Sequence, residues 1–595
     1  MDISTRTRCQ GQGPEEVDAG AVEITCLSSW PTRIHRCDVA GSRGGAVMVA
    51  GGRWRASAVF IVAGLVLTAC GDDGSSASGA AGTFTDGAQL QTDNLTSFDP
   101  GLVSTLDESQ VTSAIYDGLT DFDFSDKAKP VLKGLVAERW QANADASEYT
   151  FTLKKRLVFS NGDPVLPSSF KYAWVRAGQK DFASPYGYLI NYIKGGADLQ
   201  AGKVTNLNSS IIADDAAMTL KVILESPFAD FPVVVSHSFF YPLPEKVVSK
   251  LTDQTQWDKG LMIGNGPFML EKPKSDTEVV LVRNDKWAGS VLGDKKAVLD
   301  KIVFKVTKDV ESAYTDFEAG NVMSATIPSG KYSDAQSKYG NTTKSLLLGS
   351  YHFDFGFTDP QLGGEKNLKL RQAISLAVDR EQINQKVFEG VRTLSAGVTP
   401  NGIPGFKAGI CKFCTFDLTK AKSLLKEWQD AGNKLSGPIS IDYKTGDSSA
   451  DVVAIIQQNL KDLGIEVKTN PVSSKYFGSM AAGGCHLCRA GWYADYPTYG
   501  NFMFDLFSKA AVGGNNLGSF DDPKFDSILT KAQSEPDDTK RATLYQQAED
   551  YLLNGAMAVL TLNWLNGDQV YAKNVVNYGQ SPLGLILWER VGLKK

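Results

Sequence analysis

The chain has 595 residues, of which 42% are hydrophobic and 22% are charged, and this composition excludes a disordered tail or a fibrous protein. Lysine and arginine number 61 against 67 aspartate and glutamate residues, which gives a net charge of −6. No long basic run is present, so nucleic acid is not an expected partner.

The N-terminal region has the pattern of an export signal. Residues 1–47 show no periodicity and precede a second methionine, so we interpret them as a mis-assigned upstream start. Residues 48–69 combine two arginines with an apolar run, Ala58–Leu67, that is too short to span a membrane. The run leads into Leu67-Thr-Ala-Cys70-Gly, which resembles the lipobox of bacterial lipoproteins and implies lipidation of Cys70. A plain signal peptide followed by a chance cysteine is the alternative.

Residues 70–82 are rich in glycine, serine and alanine and predict a flexible tether, so the fold is expected to begin near Thr83. No other apolar run is long enough to cross a bilayer. The protein is therefore expected to lie outside the cytoplasm, held to the outer face of the bacterial cytoplasmic membrane by its lipid.

Beyond the tether, strand and helix patterns alternate as in an α/β protein. Stretches in which apolar and polar residues alternate predict half-buried strands at Tyr149–Leu153, Thr219–Leu224, Glu278–Val282 and Lys301–Val306. Apolar residues at helical spacing predict one amphipathic helix over Leu370–Phe388. A further helix is predicted over Asp417–Asp430, with Asp417 as its N-cap.

The best local topology signal lies between Pro438 and Thr469. Ile439–Tyr443 alternates as a strand, Asp451–Leu463 has helical periodicity, and Ile465–Thr469 alternates again. This order predicts a βαβ unit with a parallel strand pair.

Motifs for covalent chemistry are missing from the sequence. We find no phosphate-binding loop, no H-E-x-x-H helix and no G-x-S-x-G elbow. We therefore expect no enzymatic activity and no cofactor. An exported hydrolase stays open as an alternative, because carboxylate pairs that meet only in the fold leave no spacing signature.

Two C-x-x-C pairs, Cys411/Cys414 and Cys485/Cys488, are the most metal-like feature. Four thiolates at this spacing can hold zinc, but thiols outside the cytoplasm oxidise, which favours disulfides and no metal site. Three connectivities are possible, and the spacing does not choose among them. His486 lies inside the second pair, either as a metal ligand or as an exposed loop residue.

Several segments, taken in order, resemble landmarks of a known family. These are Tyr149-Thr-Phe-Thr-Leu-Lys154, Phe159-Ser-Asn-Gly-Asp-Pro164, Tyr172-Ala-Trp174, Ile263-Gly-Asn-Gly-Pro-Phe268, Arg283-Asn-Asp-Lys-Trp287 and Leu370-Arg-Gln-Ala-Ile-Ser-Leu-Ala-Val-Asp-Arg380. They are similar to segments of the peptide-type (family 5) solute-binding lipoproteins of bacterial ABC importers, with oligopeptide-binding members nearest. The resemblance covers essentially all of the mature chain.

The resemblance implies a two-lobed, periplasmic-binding-protein-like α/β fold of type II, in the large class with an extra subdomain and a ligand cleft between the lobes. The implied segments are a first lobe at 83–125, an extra subdomain at 126–213, more of the first lobe at 214–305, a second lobe at 306–560 and a return to the first lobe at 561–595.

The same resemblance nominates ligand-binding residues. Ser184-Pro-Tyr-Gly-Tyr-Leu189 is similar to a subdomain segment that contributes a ligand-contacting tyrosine, which implies Tyr186. Arg489-Ala-Gly-Trp-Tyr-Ala-Asp495 is similar to the segment whose aspartate pairs with a peptide ammonium, which implies Asp495, with Arg489 and Trp492 lining the site and Tyr493 as an apolar wall. Asp495 as a surface or capping carboxylate, and Arg489 in an internal salt bridge, are the alternatives.

The expected function is capture of short peptides by a monomeric receptor, which presents them to a membrane permease driven by cytoplasmic ATPases. Family members also bind other cargo, so a sugar, a dipeptide, or nickel or another metal complex is the first alternative. An exported hydrolase or a zinc-dependent surface protein is the second.

Overall fold

The structure is a computed structural model that describes residues 80–594 except 128, 252, 254 and 255. The upstream start, the signal peptide, Cys70 and most of the tether lie outside these residues. Within the described part, no helix combines the length and the apolar character needed to span a bilayer.

The strands follow the chain from the end of the tether to the C-terminus. They are β1 (Thr83–Gln91), β2 (Thr120–Asp123), β3 (Val131–Gly134), β4 (Ala137–Ala142), β5 (Glu148–Leu153), β6 (Ile211–Asp214), β7 (Thr219–Ile223), β8 (Phe268–Leu270), β9 (Glu278–Arg283), β10 (Lys301–Thr307), β11 (Ser324–Thr326), β12 (Leu346–Phe355), β13 (Thr393–Leu394), β14 (Ile439–Lys444), β15 (Val467–Val472), β16 (Leu487–Tyr493), β17 (Val559–Asn566), β18 (Gln569–Tyr571), β19 (Val575–Val576) and β20 (Gly592–Leu593).

The α-helices alternate with these strands. They are α1 (Leu106–Ile115), α2 (Pro167–Gly178), α3 (Gly196–Gln200), α4 (Phe231–Val234), α5 (Glu245–Val248), α6 (Val310–Ala319), α7 (Tyr332–Tyr339), α8 (Leu368–Ala377), α9 (Arg380–Phe388), α10 (Leu418–Asp430), α11 (Ser449–Leu463), α12 (Tyr476–Ser479), α13 (Tyr499–Phe507), α14 (Pro523–Ser534) and α15 (Asp538–Asp550).

The first lobe is built on a sheet of order β1-β10-β9-β8. β1 runs parallel to β10, so that Phe84 lies beside Ile302 and both side chains are fully buried. The C-terminal residues return to this sheet, where Tyr578 and Trp588 pack their rings 5.8 and 5.5 Å from that of Phe84. Chain segments far apart in sequence therefore share one core, as expected for a discontinuous lobe.

A second sheet, of order β4-β5-β7-β6, forms the extra subdomain. β5 pairs with β7, which places Phe151 opposite Leu220. The sheet thus runs to Ile223, and the hairpin β6–β7 spans residue 213, at which the resemblance places the end of the subdomain. Its buried residues belong to the same hydrophobic cluster as those of the first lobe.

The second lobe surrounds a mixed sheet of order β13-β17-β12-β16-β14-β15. Successive residues of β12 enter opposite cores, with Leu347 on one face and Leu348 on the other. The predicted βαβ unit is confirmed: β14 and β15 are parallel and α11 connects them. β17 continues in this sheet to Asn566.

One predicted helix is wrong in its extent. Leu370–Phe388 is not a single helix, because Val378 adopts an extended conformation and Asp379 caps a new helix by accepting from the Gln382 amide. The helix predicted after Asp417 is confirmed, and the Asp417 side chain accepts from the Lys420 amide at 2.8 Å.

Candidate functional site

A cavity of about 380 Å³ lies between the lobes. Its first-lobe wall includes the start of α1, and the subdomain adds Tyr186. Its second-lobe wall comes from β12, β16 and the residues that follow β16. All the side chains that the sequence nominated for ligand binding line this cavity: Tyr186, Arg489, Trp492, Tyr493 and Asp495.

Asp495 lies just past the end of β16, in a network that reaches both lobes. Its Oδ1 accepts a 2.8 Å hydrogen bond from the Tyr186 hydroxyl, and its Oδ2 accepts from Asn501 Nδ2 at 3.0 Å. The Oδ1 atom of the Asn501 side chain accepts in turn from the Asp495 backbone amide at 3.0 Å and from Trp492 Nε1 at 2.9 Å. Asn501, fully buried on α13, therefore fixes both the carboxylate and the indole.

Asp495 is a buried carboxyl that has no cation beside it among the described residues. Its side chain is 10% exposed, and burial raises its pKa to about 7, which the hydrogen bonds from Asn501 and Tyr186 only partly oppose. His237 Nε2 lies 4.0 Å from Oδ1, but burial lowers the pKa of this imidazole to about 3, so it is neutral. A ligand cation would supply the charge that the described residues do not.

A second carboxyl lies behind this one. Asp505 accepts from the Tyr496 hydroxyl at 2.6 Å and from Asn501 Nδ2 at 2.9 Å. Burial raises the pKa of Asp505 to about 6. Because two buried carboxyls share one amide, ionising both without a cation is unfavourable.

Aromatic side chains form part of the wall. Trp492 is held by its bond to Asn501, while Tyr493 and Phe477 are 41% and 46% exposed. The Tyr186 ring packs 4.3 Å from that of His237. Exposed aromatic rings beside a cavity are suited to cover the apolar parts of a bound solute.

Arg489 faces the cavity from β16. Its guanidinium carbon lies 4.7 Å from the centre of the Tyr351 ring, and its Nε is buried without a hydrogen-bond partner. No carboxylate within 4.0 Å forms an ion pair with it among the described residues, so the internal salt bridge considered above is not seen there.

The wall also includes residues that were not nominated from sequence, among them His237, Tyr351 and Arg392. His237 Nδ1 accepts a hydrogen bond from the Phe239 amide at 3.2 Å. Arg392 lies in a loop between α9 and β13 that carries no motif. Only tertiary packing brings these residues to the cavity.

Each C-x-x-C pair is closed on itself, as Cys411–Cys414 and Cys485–Cys488. The second pair immediately precedes Arg489 at the start of β16. In this arrangement neither pair leaves a thiolate for zinc. The His486 side chain is 44% exposed, and its Nδ1 lies 3.0 Å from Asp442 Oδ2.

Comparison with known proteins places the chain among solute receptors. The family described as "Bacterial extracellular solute-binding proteins, family 5 Middle" matches residues 131–514. The oligopeptide-binding protein OppA of Bacillus subtilis is 28% identical over 524 residues, covering 84% of this chain and 92% of the relative. The probable deoxycholate-binding periplasmic protein YgiS of Escherichia coli is 28% identical over 470 residues, covering 76% and 83%. The solved murein tripeptide binding protein MppA of Escherichia coli has a TM-score of 0.72 at 21% identity, covering 87% of this chain and 99% of that one.

Proposed function

The chain belongs to the bacterial extracellular solute-binding proteins of family 5, and we propose that it captures short peptides in the cleft between its lobes and delivers them to the permease of an ABC importer. The observation that carries this proposal is Asp495, a buried carboxyl on the cavity wall with no cation beside it among the described residues. The relative named as an oligopeptide-binding protein supports the same cargo. The protein carries out no covalent step.

In the proposed complex, Asp495 binds the peptide α-ammonium. An ammonium taken out of water is costly unless a carboxylate meets it, so the site favours peptides with an unblocked N-terminus. Tyr186 and Asn501 already donate to the two carboxylate oxygens, and they orient Asp495 before the ligand arrives.

The rest of the ligand contacts the wall described above. Trp492 and Tyr493 pack against apolar portions of the peptide, and Arg489 binds its α-carboxylate. The peptide main chain is held by backbone groups and bridging water, which gives affinity with little dependence on side chains.

Lobe closure is the proposed conformational step. Contacts that connect the lobes include the hydrogen bond from Tyr186 to Asp495 at the cavity and an ion pair of 3.2 Å between Asp230 and Arg541 of α15. A peptide that touches both lobes adds to these contacts and shifts the population toward the closed state, which the permease recognises.

We further propose that Cys70 carries a lipid that holds a monomeric receptor at the outer face of the cytoplasmic membrane. The support is the lipobox-like segment and the short apolar run before it. Mass spectrometry of the membrane-bound protein should show a diacylglycerol on Cys70, and Cys70→Ala should release the protein from the membrane. An unmodified Cys70 in membrane-bound protein contradicts this assignment.

A second cargo is kept because one relative is named as a probable deoxycholate-binding protein. A steroid acid carries one anionic group and no ammonium, so it would use the arginine side of the cavity and leave Asp495 unpaired.

Thermal unfolding of the protein with tripeptides, their N-acetylated copies, deoxycholate and oligosaccharides separates these cargoes. A ligand at a hundredfold excess over Kd stabilises the folded state by about 2.7 kcal/mol. Free peptides should raise the midpoint by a few degrees and acetylated ones should not. A shift with deoxycholate or a sugar alone overturns the peptide assignment and leaves the fold untouched.

A further inference from the structure

Arg392 is an unusual residue on the cavity wall. Its guanidinium carbon lies 3.7 Å from the centre of the Phe388 ring and 5.2 Å from that of Tyr351. Within the described residues, its guanidinium makes a single hydrogen bond, from Nη1 to Asn563 Oδ1 at 3.3 Å. The other N–H groups of this five-donor side chain are not used by these residues.

Arg489 also packs against the Tyr351 ring. Its guanidinium lies 4.7 Å from the centre of Tyr351, so two cations flank one ring and both line the cavity. In the part of the chain that the structure describes, no carboxylate lies within 4.0 Å of either. The carboxyl groups of Asp568 and Asp447 attract Arg392 and Arg489, respectively, only from beyond this distance. Two buried cations without ion-pair partners repel each other and favour an anion between or beside them.

A simple peptide has one ammonium and one α-carboxylate that can pair with charged side chains of the cavity wall. The proposed function pairs the ligand ammonium with Asp495 and its α-carboxylate with Arg489. One positive charge, that of Arg392, then has no carboxylate within 4.0 Å among the described residues and none to meet in a simple peptide.

We propose that Arg392 is a second anion-binding residue of the cleft, and that it makes the protein select short peptides that carry an acidic side chain in addition to the α-carboxylate. This inference rests on the proposed function and names its substrate class. Planar N–H groups on a stacked guanidinium suit bidentate binding of a side-chain carboxylate.

Titration calorimetry with Ala-Ala-Glu and its neutral isostere Ala-Ala-Gln tests this. The intact protein should bind the glutamate peptide about tenfold or more tightly, the gain typical of a charge-assisted hydrogen bond. Arg392→Met keeps an unbranched side chain against the two rings and should abolish the difference, because Ala-Ala-Glu loses the partner of its side-chain carboxylate. Arg392→Lys keeps the charge and should retain part of the preference.

The matched control is Lys420→Met, which removes a cation that also lies over a ring, that of Phe413, but away from the cavity. It should leave the preference intact. Equal affinities for the two peptides in the intact protein would overturn the inference, as would an equal loss of both in Arg392→Met. If neither peptide binds the intact protein, the proposed function itself fails.

Discussion

Peptide affinity should fall in mild acid, because Asp495 must be ionised to bind an ammonium. Burial raises the pKa of Asp495 to about 7 in the unliganded protein. Among the other groups that face it, His237 stays neutral because its pKa is lowered to about 3, and the Tyr186 pKa is raised well above its usual value. Asp505, whose pKa is raised to about 6, shares the Asn501 amide with Asp495 and is tested separately below. A bound ammonium lowers the Asp495 pKa, so binding releases a proton below neutrality.

The magnitude follows from two titrations. With pKa values of about 7 for Asp495 and about 7.9 for a peptide α-ammonium, the fraction of encounters in which both groups are charged falls from roughly 0.55 at pH 7.5 to roughly 0.03 at pH 5.5. Kd should therefore rise about fifteenfold to twentyfold over this range, equivalent to ~1.7 kcal/mol. Above about pH 8 affinity should fall again as the peptide loses its proton.

Calorimetry with trialanine across this pH range, in buffers of different ionisation enthalpy, measures both the affinity and the protons released. Asp495→Asn should bind trialanine weakly, and its affinity should not show the fall between pH 7.5 and pH 5.5, which we call the acid limb. Asp505→Asn is the matched control, since Asp505 also titrates near pH 6 but does not line the cavity; it should keep the acid limb. An affinity that is flat between these pH values, or an acid limb that persists in Asp495→Asn, would refute the reasoning.

Three further predictions concern the same network. Tyr186→Phe removes one hydrogen bond to Asp495 and should weaken trialanine binding by about threefold to tenfold in calorimetry. Tyr188→Phe, whose hydroxyl has no hydrogen-bond partner among the described residues, should leave the affinity unchanged. Because a raised carboxyl pKa lowers stability above its unfolded value near 3.8, Asp495→Asn should stabilise the unliganded protein by up to about 4 kcal/mol at pH 7.5 in denaturant unfolding, and most of the gain should be lost by pH 4. Asp230→Asn breaks the ion pair across the cleft, so X-ray scattering should show a larger radius of gyration without ligand; Lys338→Met, which breaks an exposed pair outside the cleft, should not change it.

Much of the fold follows from local pattern. Alternation located β5, β9 and β10, and the βαβ unit was predictable because a strand, a helix and a strand follow each other with clear periods. The break at Asp379 was missed because the apolar spacing continues across it, while the capping side chain ends one helix and begins another. The extent of the β4-β5-β7-β6 sheet was not predictable from local pattern, because strand pairing between β5 and β7 is a long-range property.

The site was predictable only where residues sit in a recognisable segment. Tyr186 and Asp495 come from such segments. The structure brings the Tyr186 hydroxyl to 2.8 Å from Asp495 Oδ1, although 309 positions separate the two residues in sequence. Asn501, which orients Asp495, looks in sequence like an ordinary helical residue. Arg392 reaches the cavity from a loop without a motif, so only the packed structure reveals it.

The most direct test of the account is a crystal structure of the protein with trialanine bound. We expect the peptide between the closed lobes, with its α-ammonium nitrogen at hydrogen-bond distance from the Asp495 carboxylate and its α-carboxylate at Arg489. A peptide bound in the reverse direction, or outside the cavity with Asp495 unpaired, would contradict it.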